Sequence, residues 1–79
     1  MLVKVYSTPT CPACDMVKTF LTRNKIKFEA IDVGSDEEKR DEMIDKSGQF
    51  GVPVTIISDG EEKIIVGYNP MALKKALRL

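Results

Sequence analysis

Two periodicities alternate along the chain. Leu2-Val3-Lys4-Val5-Tyr6 is a short β-prone run that predicts a central strand, with Val3 and Val5 on one face and Leu2 and Tyr6 on the other. From Pro12 to about Asn24 the apolar positions Ala13, Met16, Val17, Phe20 and Leu21 recur at helical spacing and predict one buried stripe. Asn24-Lys25 breaks that helix, and Ile26 to Val33 is expected to form a second strand anchored by Phe28 and Ile31. Strand, helix and strand in so short a span imply a right-handed crossover and a parallel pair.

Past Gly34 the pattern turns polar. Ser35-Asp36-Glu37-Glu38 has the form of a capping box with acidic residues in the first turn, and it predicts a helix to about Lys46 stopped by Gly48. Met43 and Ile44 are its clear apolar anchors. The charges from Asp36 to Lys46 read as a solvated face, with Glu42 and Lys46 at supportive spacing. Val54-Thr55-Ile56-Ile57 predicts a third strand. Asp59-Gly60 is a strong hairpin signal that joins it, antiparallel, to Lys63-Ile64-Ile65-Val66. Asn69 and Pro70 then have the N-cap and first-turn chemistry of a last helix, Met71 to about Arg78, burying Leu73, Ala76 and Leu77. The expected order is βαβαββα, an α/β fold.

Composition narrows the function classes. The 79 residues are 43% apolar and 30% charged, which fits one globular domain spanning residues 1–79. Twelve basic and twelve acidic side chains cancel without a basic cluster, so nucleic acid is not an expected partner. No apolar run approaches a membrane span and the N-terminus lacks a signal-peptide layout, so a cytoplasmic location is expected, and a monomer is the default for so small and neutral a chain.

The candidate chemistry lies in Thr8-Pro9-Thr10-Cys11-Pro12-Ala13-Cys14-Asp15, which holds both cysteines of the chain. Two thiols three apart on the first turn of a helix approach closely enough to form a disulfide. Cys11 falls at the expected N-cap and Pro12 at the first helical position, where a missing N–H costs nothing. Unpaired backbone N–H groups and the helix dipole favour a thiolate there, while Asp15 in the same turn opposes it. Cys14, one turn in, is expected to be more shielded and to resolve a mixed disulfide formed on Cys11. In a small chain of this kind such a pair is catalytic or metal-binding before it is a structural staple.

A dithiol after the first strand, Val52-Pro53 before the third, a β-hairpin and a closing helix together resemble the thioredoxin fold in its small glutaredoxin form, a four-stranded mixed sheet flanked by three helices. Cys11-Pro12-Ala13-Cys14 is similar to the Cys-Pro-x-Cys of dithiol glutaredoxins, and Gly51-Val52-Pro53 to the family's cis-proline motif. For Val52-Pro53 two readings stand open: a cis bond beside the dithiol that leaves the Val52 backbone free to pair with an extended substrate, or the plain opening of a strand. Thr8 stands where glutathione-using members usually carry a basic residue. Gly67-Tyr68-Asn69-Pro70 stands where they carry a Gly-Gly-x-Asp-type motif, so expected anchors for the carboxylates of glutathione are missing. The segment Gly67 to Met71 instead resembles the Gly-aromatic-x-Pro of NrdH-type redoxins, although Val66 stands near where they often have tryptophan.

The resemblance implies thiol-disulfide exchange by Cys11 as nucleophile and Cys14 as resolving thiol, with substrate contacts at Thr10, Pro12, Ala13, Val52, Pro53, Gly67 and Tyr68. It implies no bound cofactor. Electrons would come from NADPH through a thioredoxin reductase-like flavoprotein and pass to a disulfide-bearing protein, ribonucleotide reductase among the possible clients. Pro9, Pro12, Val52, Pro53, Tyr68 and Met71 would form an apolar collar for that partner, with Tyr68 read equally as packing or as a contact. Rival readings are a glutathione-dependent glutaredoxin, a soft-metal module binding copper(I) or zinc through the two thiolates, and an iron-sulfur carrier.

Overall fold

A computed structural model describes residues 1–79. The elements are β1 (Leu2–Ser7), α1 (Pro12–Arg23), β2 (Glu29–Asp32), α2 (Glu37–Ser47), β3 (Val54–Asp59), β4 (Glu61–Val66) and α3 (Pro70–Leu77). The sheet runs β2-β1-β3-β4, with β1 and β2 parallel and the other pairs antiparallel. That is the expected four-stranded mixed sheet with three helices.

Alternation along the central strands divides the interior in two. Val3, Val5, Ile57 and Ile65 face α1 and α3, packing against Val17, Leu21, Leu73, Ala76 and Leu77. Tyr6, Val54 and Ile56 face the other way and meet Ile31, Val33 and Met43. So α1 and α3 share one side of the sheet and α2 covers the other. Several local expectations change at this level. Leu2 shares the Tyr6 face by strand alternation but is 67% exposed and adds nothing to the core on that side. In α1 the fully buried stripe is Cys14, Val17 and Leu21, while Met16 is exposed and Phe20 half-buried, so the stripe is narrower and rotated by one position from the expected one.

β2 is shorter than the expected Ile26–Val33. The Ile26 N–H closes the end of α1 by donating to the Leu21 carbonyl at 2.9 Å, while Ile26 and Phe28 pack half-buried against the α1–α3 core. Lys25 turns the chain there with φ 58°. The N-cap of α2 is Asp36, whose carboxylate accepts the Lys39 N–H at 3.2 Å; Ser35 donates its hydroxyl to Asp32 instead. Gly48, at φ 73°, stops α2 as expected.

Glu42 and Lys46 do not pair. Lys46 reaches Glu62 at 3.0 Å, and Glu42 is held by Lys39 at 3.3 Å and by the Tyr6 hydroxyl, which donates at 3.1 Å. Burial works against ionisation of Glu42, but the hydrogen bonds from Lys39 and Tyr6 outweigh it and hold the carboxyl below its usual range.

Candidate functional site

The end of β1, the first turn of α1 and the loop before β3 converge on the two cysteines. Cys11 has extended backbone angles, φ −107° and ψ 105°, and is the N-cap of α1 with Pro12 behind it. Its sulfur accepts the N–H of Cys14 at 3.2 Å, taking the place a hydroxyl or carboxylate holds in most caps. The Asp15 N–H donates to the Cys11 carbonyl at 3.3 Å. Both cysteines are free thiols, Cys11 half-buried and Cys14 completely enclosed. Helix periodicity accounts for the difference, since Cys14 is the first residue of the buried stripe and Cys11 lies at the open end of the helix.

Burial pushes the Cys14 thiol up to about 11, and the hydrogen bond and charge of Cys11 add to the shift. A backbone hydrogen bond from Thr8 and the charge of Lys18 act in the opposite direction. Lys18 was absent from the expected site because no cation adjoins the motif in sequence. At four residues past Cys14 it lies on the same side of α1, which is the signal that would have found it.

Val52-Pro53 is a cis peptide bond, and the Val52 carbonyl lies 3.9 Å from Cys11 Sγ as the acceptor of its thiol. A segment forty-one residues away in sequence thus lies against the dithiol. Pro53 is buried, Val52 half-buried, and the Pro53 carbonyl accepts the Gly67 N–H at 2.8 Å. That bond places the loop carrying Tyr68 beside the same end of the sheet. Thr10 and Pro12 are exposed and Ala13 is half-buried on the turn around the thiols. Cys11, Cys14 and Val52 are therefore brought together, with Thr10, Pro12 and Ala13 carried on the cysteine turn. Gly67 is joined to them through Pro53. The Pro53 ring is withdrawn into the interior and contributes backbone only to any collar.

Tyr68 stands somewhat apart, over the outer face of α1. There it lines a groove with Asp15, Met16, Thr19, Phe20 and Arg23. Helical spacing predicts core positions for Met16 and Phe20, and the partial exposure of both creates the groove. No three His, Cys, Asp or Glu side chains are grouped to hold a metal ion. No helix is long and apolar enough to cross a membrane.

A cysteine cap beside a Val-Pro turn, on a β2-β1-β3-β4 sheet, defines a thiol-disulfide oxidoreductase of thioredoxin-like fold. Residues 3–62 match the Glutaredoxin family model, and the chain belongs to that family. It is 43% identical over 76 residues to a glutaredoxin-like 8.6 kDa protein of the rubredoxin operon of Clostridium pasteurianum, covering 96% of this chain and 97% of that one. The crystal structure of a glutaredoxin from Archaeoglobus fulgidus superposes with a TM-score of 0.86 at 30% identity, covering 98% of this chain and 86% of the other. The glutaredoxin-like NrdH-redoxin of Escherichia coli, whose structure was described as the basis of a thioredoxin-like activity profile, superposes at 0.78 with 25% identity over 100% of this chain and 95% of its own.

Proposed function

We propose that the chain acts as a single domain, in the cytoplasm, as a dithiol reductant of protein disulfides, with Cys11 as nucleophile and Cys14 as resolving thiol. The observation that carries this reading is the cap itself: the Cys11 sulfur is the side chain that satisfies the first turn of α1, through the N–H of Cys14 at 3.2 Å. Negative charge on that sulfur strengthens the hydrogen bond and meets the positive end of the helix.

Cys11 thiolate attacks one sulfur of the client disulfide. That S–S bond breaks, a Cys11–client disulfide forms, and the first client sulfur leaves as a thiolate that takes up a proton. Cys14 then gives up its proton and attacks Cys11 Sγ. The mixed disulfide breaks, the Cys11–Cys14 disulfide forms and the second client thiol departs. Two electrons pass from the protein dithiol to the client.

The second step is timed by the first. Two of the influences that hold the proton on Cys14 come from Cys11, by hydrogen bond and by charge. Capping Cys11 in the mixed disulfide removes the charge on its sulfur and weakens that sulfur as an acceptor for the Cys14 thiol, while the Thr8 backbone and Lys18 remain to favour the Cys14 thiolate. Cys14 becomes more acidic when it is needed. An extended client segment would pair with the Val52 backbone next to Cys11, with Thr10, Pro12, Ala13, Gly67 and Tyr68 around it.

A thioredoxin reductase-like flavoprotein fed by NADPH is the favoured electron source, and ribonucleotide reductase a candidate client. Support comes from the missing carboxylate anchors at Thr8 and at Gly67-Tyr68-Asn69-Pro70, and from the likeness to an NrdH-redoxin. The test is NADPH consumption by the oxidised protein, with thioredoxin reductase on one side and glutathione with its reductase on the other, and a Cys14→Ser control. Turnover with thioredoxin reductase alone is expected. Turnover with glutathione alone would reassign the chain to the glutathione-dependent members, and turnover with neither would return the two thiols to the metal-binding reading.

A further inference from the structure

The groove beside the dithiol has a chemical direction. It encloses about 320 Å³ between α1 and Tyr68. Its apolar part is Met16, 49% exposed, Tyr68, 36% exposed, and half-buried Phe20. Two of its lining residues, Asp15 and Tyr68, adjoin the reacting end of the molecule. Asp15 directly follows Cys14, and Tyr68 directly follows Gly67, which is bonded to Pro53 next to the Val52 carbonyl that faces Cys11.

The two ends of the groove differ in sign. Asp15 lies in the first turn of α1 and Arg23 is its last residue, about 12 Å further along at a rise of ~1.5 Å per residue. The wider surface repeats this polarity. α1, the turn after it and α3 carry Lys18, Arg23, Lys25, Lys27, Lys74 and Lys75 against one carboxylate, Asp15. From Glu29 to Ser47, eight carboxylates stand against three cations. Since α1 and α3 lie on one side of the sheet and α2 on the other, a chain with no net charge is electrically two-sided, with the groove on its positive side. An acidic surface is drawn to that side and a basic one is repelled.

We infer that the groove holds the segment flanking the client's reacting cysteine, and that it selects segments with an apolar side chain followed by a carboxylate. The cysteine joins Cys11, the apolar side chain lies on Met16, Phe20 and Tyr68, and the carboxylate meets Arg23. The distance from Cys11 to Arg23 along the helix is about 18 Å, which an extended segment covers in about five or six residues. Asp15 disfavours a second carboxylate close to the cysteine. This specificity rests on the dithiol reading above and refines it.

Single-turnover exchange with two synthetic peptides tests it. Each carries an N-terminal cysteine in a mixed disulfide with 2-thiopyridine and a leucine at the third position. They differ only at the sixth, glutamate in one and lysine in the other. Release of pyridine-2-thione gives the rate, divided for each variant by its rate with neutral dithiodipyridine. At low salt the glutamate peptide is expected to react about three- to fivefold faster, the size of one exposed ion pair. The preference should fall with added salt and reverse in Arg23→Glu. It should persist in Lys25→Glu, which makes the same change in net charge outside the groove. Equal rates for the two peptides, a preference that survives Arg23→Glu, or an equal loss in Lys25→Glu each overturns the assignment. If dithiodipyridine reacts no faster with the native chain than with Cys11→Ser, the dithiol reading itself fails, and the groove's specificity with it.

Discussion

The Gly67 N–H donates to the Pro53 carbonyl at 2.8 Å, joining the loop that carries Tyr68 to the turn that carries Val52. The bond carries the β3–β4 ladder one step beyond Val54 and Val66, so the Tyr68 loop leaves the sheet beside the turn whose Val52 carbonyl faces Cys11. The bond needs a backbone that turns the N–H inward, and Gly67 does so with φ +75°.

Gly67→Ala is accordingly expected to cost about 1 kcal/mol, because a left-handed backbone with a Cβ is strained. No heavy atom lies within 4 Å of the added methyl group, so a clash contributes nothing and the strain is conformational. Urea unfolding should show the loss in the midpoint at unchanged slope. Gly67→Asn should recover part of it, since asparagine tolerates that region better than alanine.

Thr55 makes the opposite prediction. Its side chain is completely buried between Val5 and Ile65 on the neighbouring strands, and its hydroxyl has no hydrogen-bond partner. A valine keeps the shape and removes a desolvated polar group. Thr55→Val should therefore leave the fold intact and raise its stability by about 1 kcal/mol, against the 1–3 kcal/mol loss usual when a bonded buried group is unpaired. A fall in the thermal midpoint would show that the hydroxyl has a partner after all.

Much of this was legible in the sequence because the strongest signals were local. Cys11 and Pro12 at a helix start, Gly48 after a helix, Asn69-Pro70 before one and Asp59-Gly60 in a hairpin each act within a few residues, and the structure uses all of them as read. Assignments that depended on distant partners fared differently. Spacing pairs Glu42 with Lys46, yet Lys46 goes to Glu62, sixteen residues away, and Glu42 is shared between nearby Lys39 and Tyr6, thirty-six residues away. Met16 looked like core because helical periodicity does not say how wide a stripe the sheet covers, and the uncovered edge became the groove. The Val52 carbonyl could be placed against Cys11 only through a family resemblance, since nothing near either residue in sequence refers to the other.

High pH should undo the fold at two buried protons. The Tyr6 phenol is pushed up to about 12 by burial and by its hydrogen bond to Glu42, and Cys14 to about 11. Both groups hold their protons more tightly in the folded chain than in the unfolded one. Their contributions are complete at neutral pH and are lost as pH rises from about 9, where an unfolded thiol begins to ionise, through about 12. Stability measured by urea should therefore be flat near pH 7 and fall on the order of 2–3 kcal/mol per group across that window. Tyr6→Phe should lower the plateau by about 1 kcal/mol and shorten the alkaline fall, because the phenolic proton is gone.

The two thiols should also be separable by reactivity. Cys11 is half-buried at an open helix end, whereas Cys14 is fully enclosed and keeps its proton to about 11. Limiting iodoacetamide at pH 8 should label the native dithiol once, at Cys11, and label both thiols only in denaturant; peptide mapping by mass spectrometry reads the site. In Cys14→Ser the attack by Cys11 has no second step, so a mixed disulfide with a model peptide should accumulate and persist until an external thiol is added. Lys18→Gln probes the same step in the intact dithiol. Its charge favours the Cys14 thiolate, so its removal should slow resolution by a few-fold at pH 7 and less as pH approaches the Cys14 titration. Initial formation of the mixed disulfide should slow far less. Equal slowing of both steps would mean that Lys18 acts on the helix as a whole and that burial, Cys11 and the Thr8 backbone set the timing of Cys14 without it.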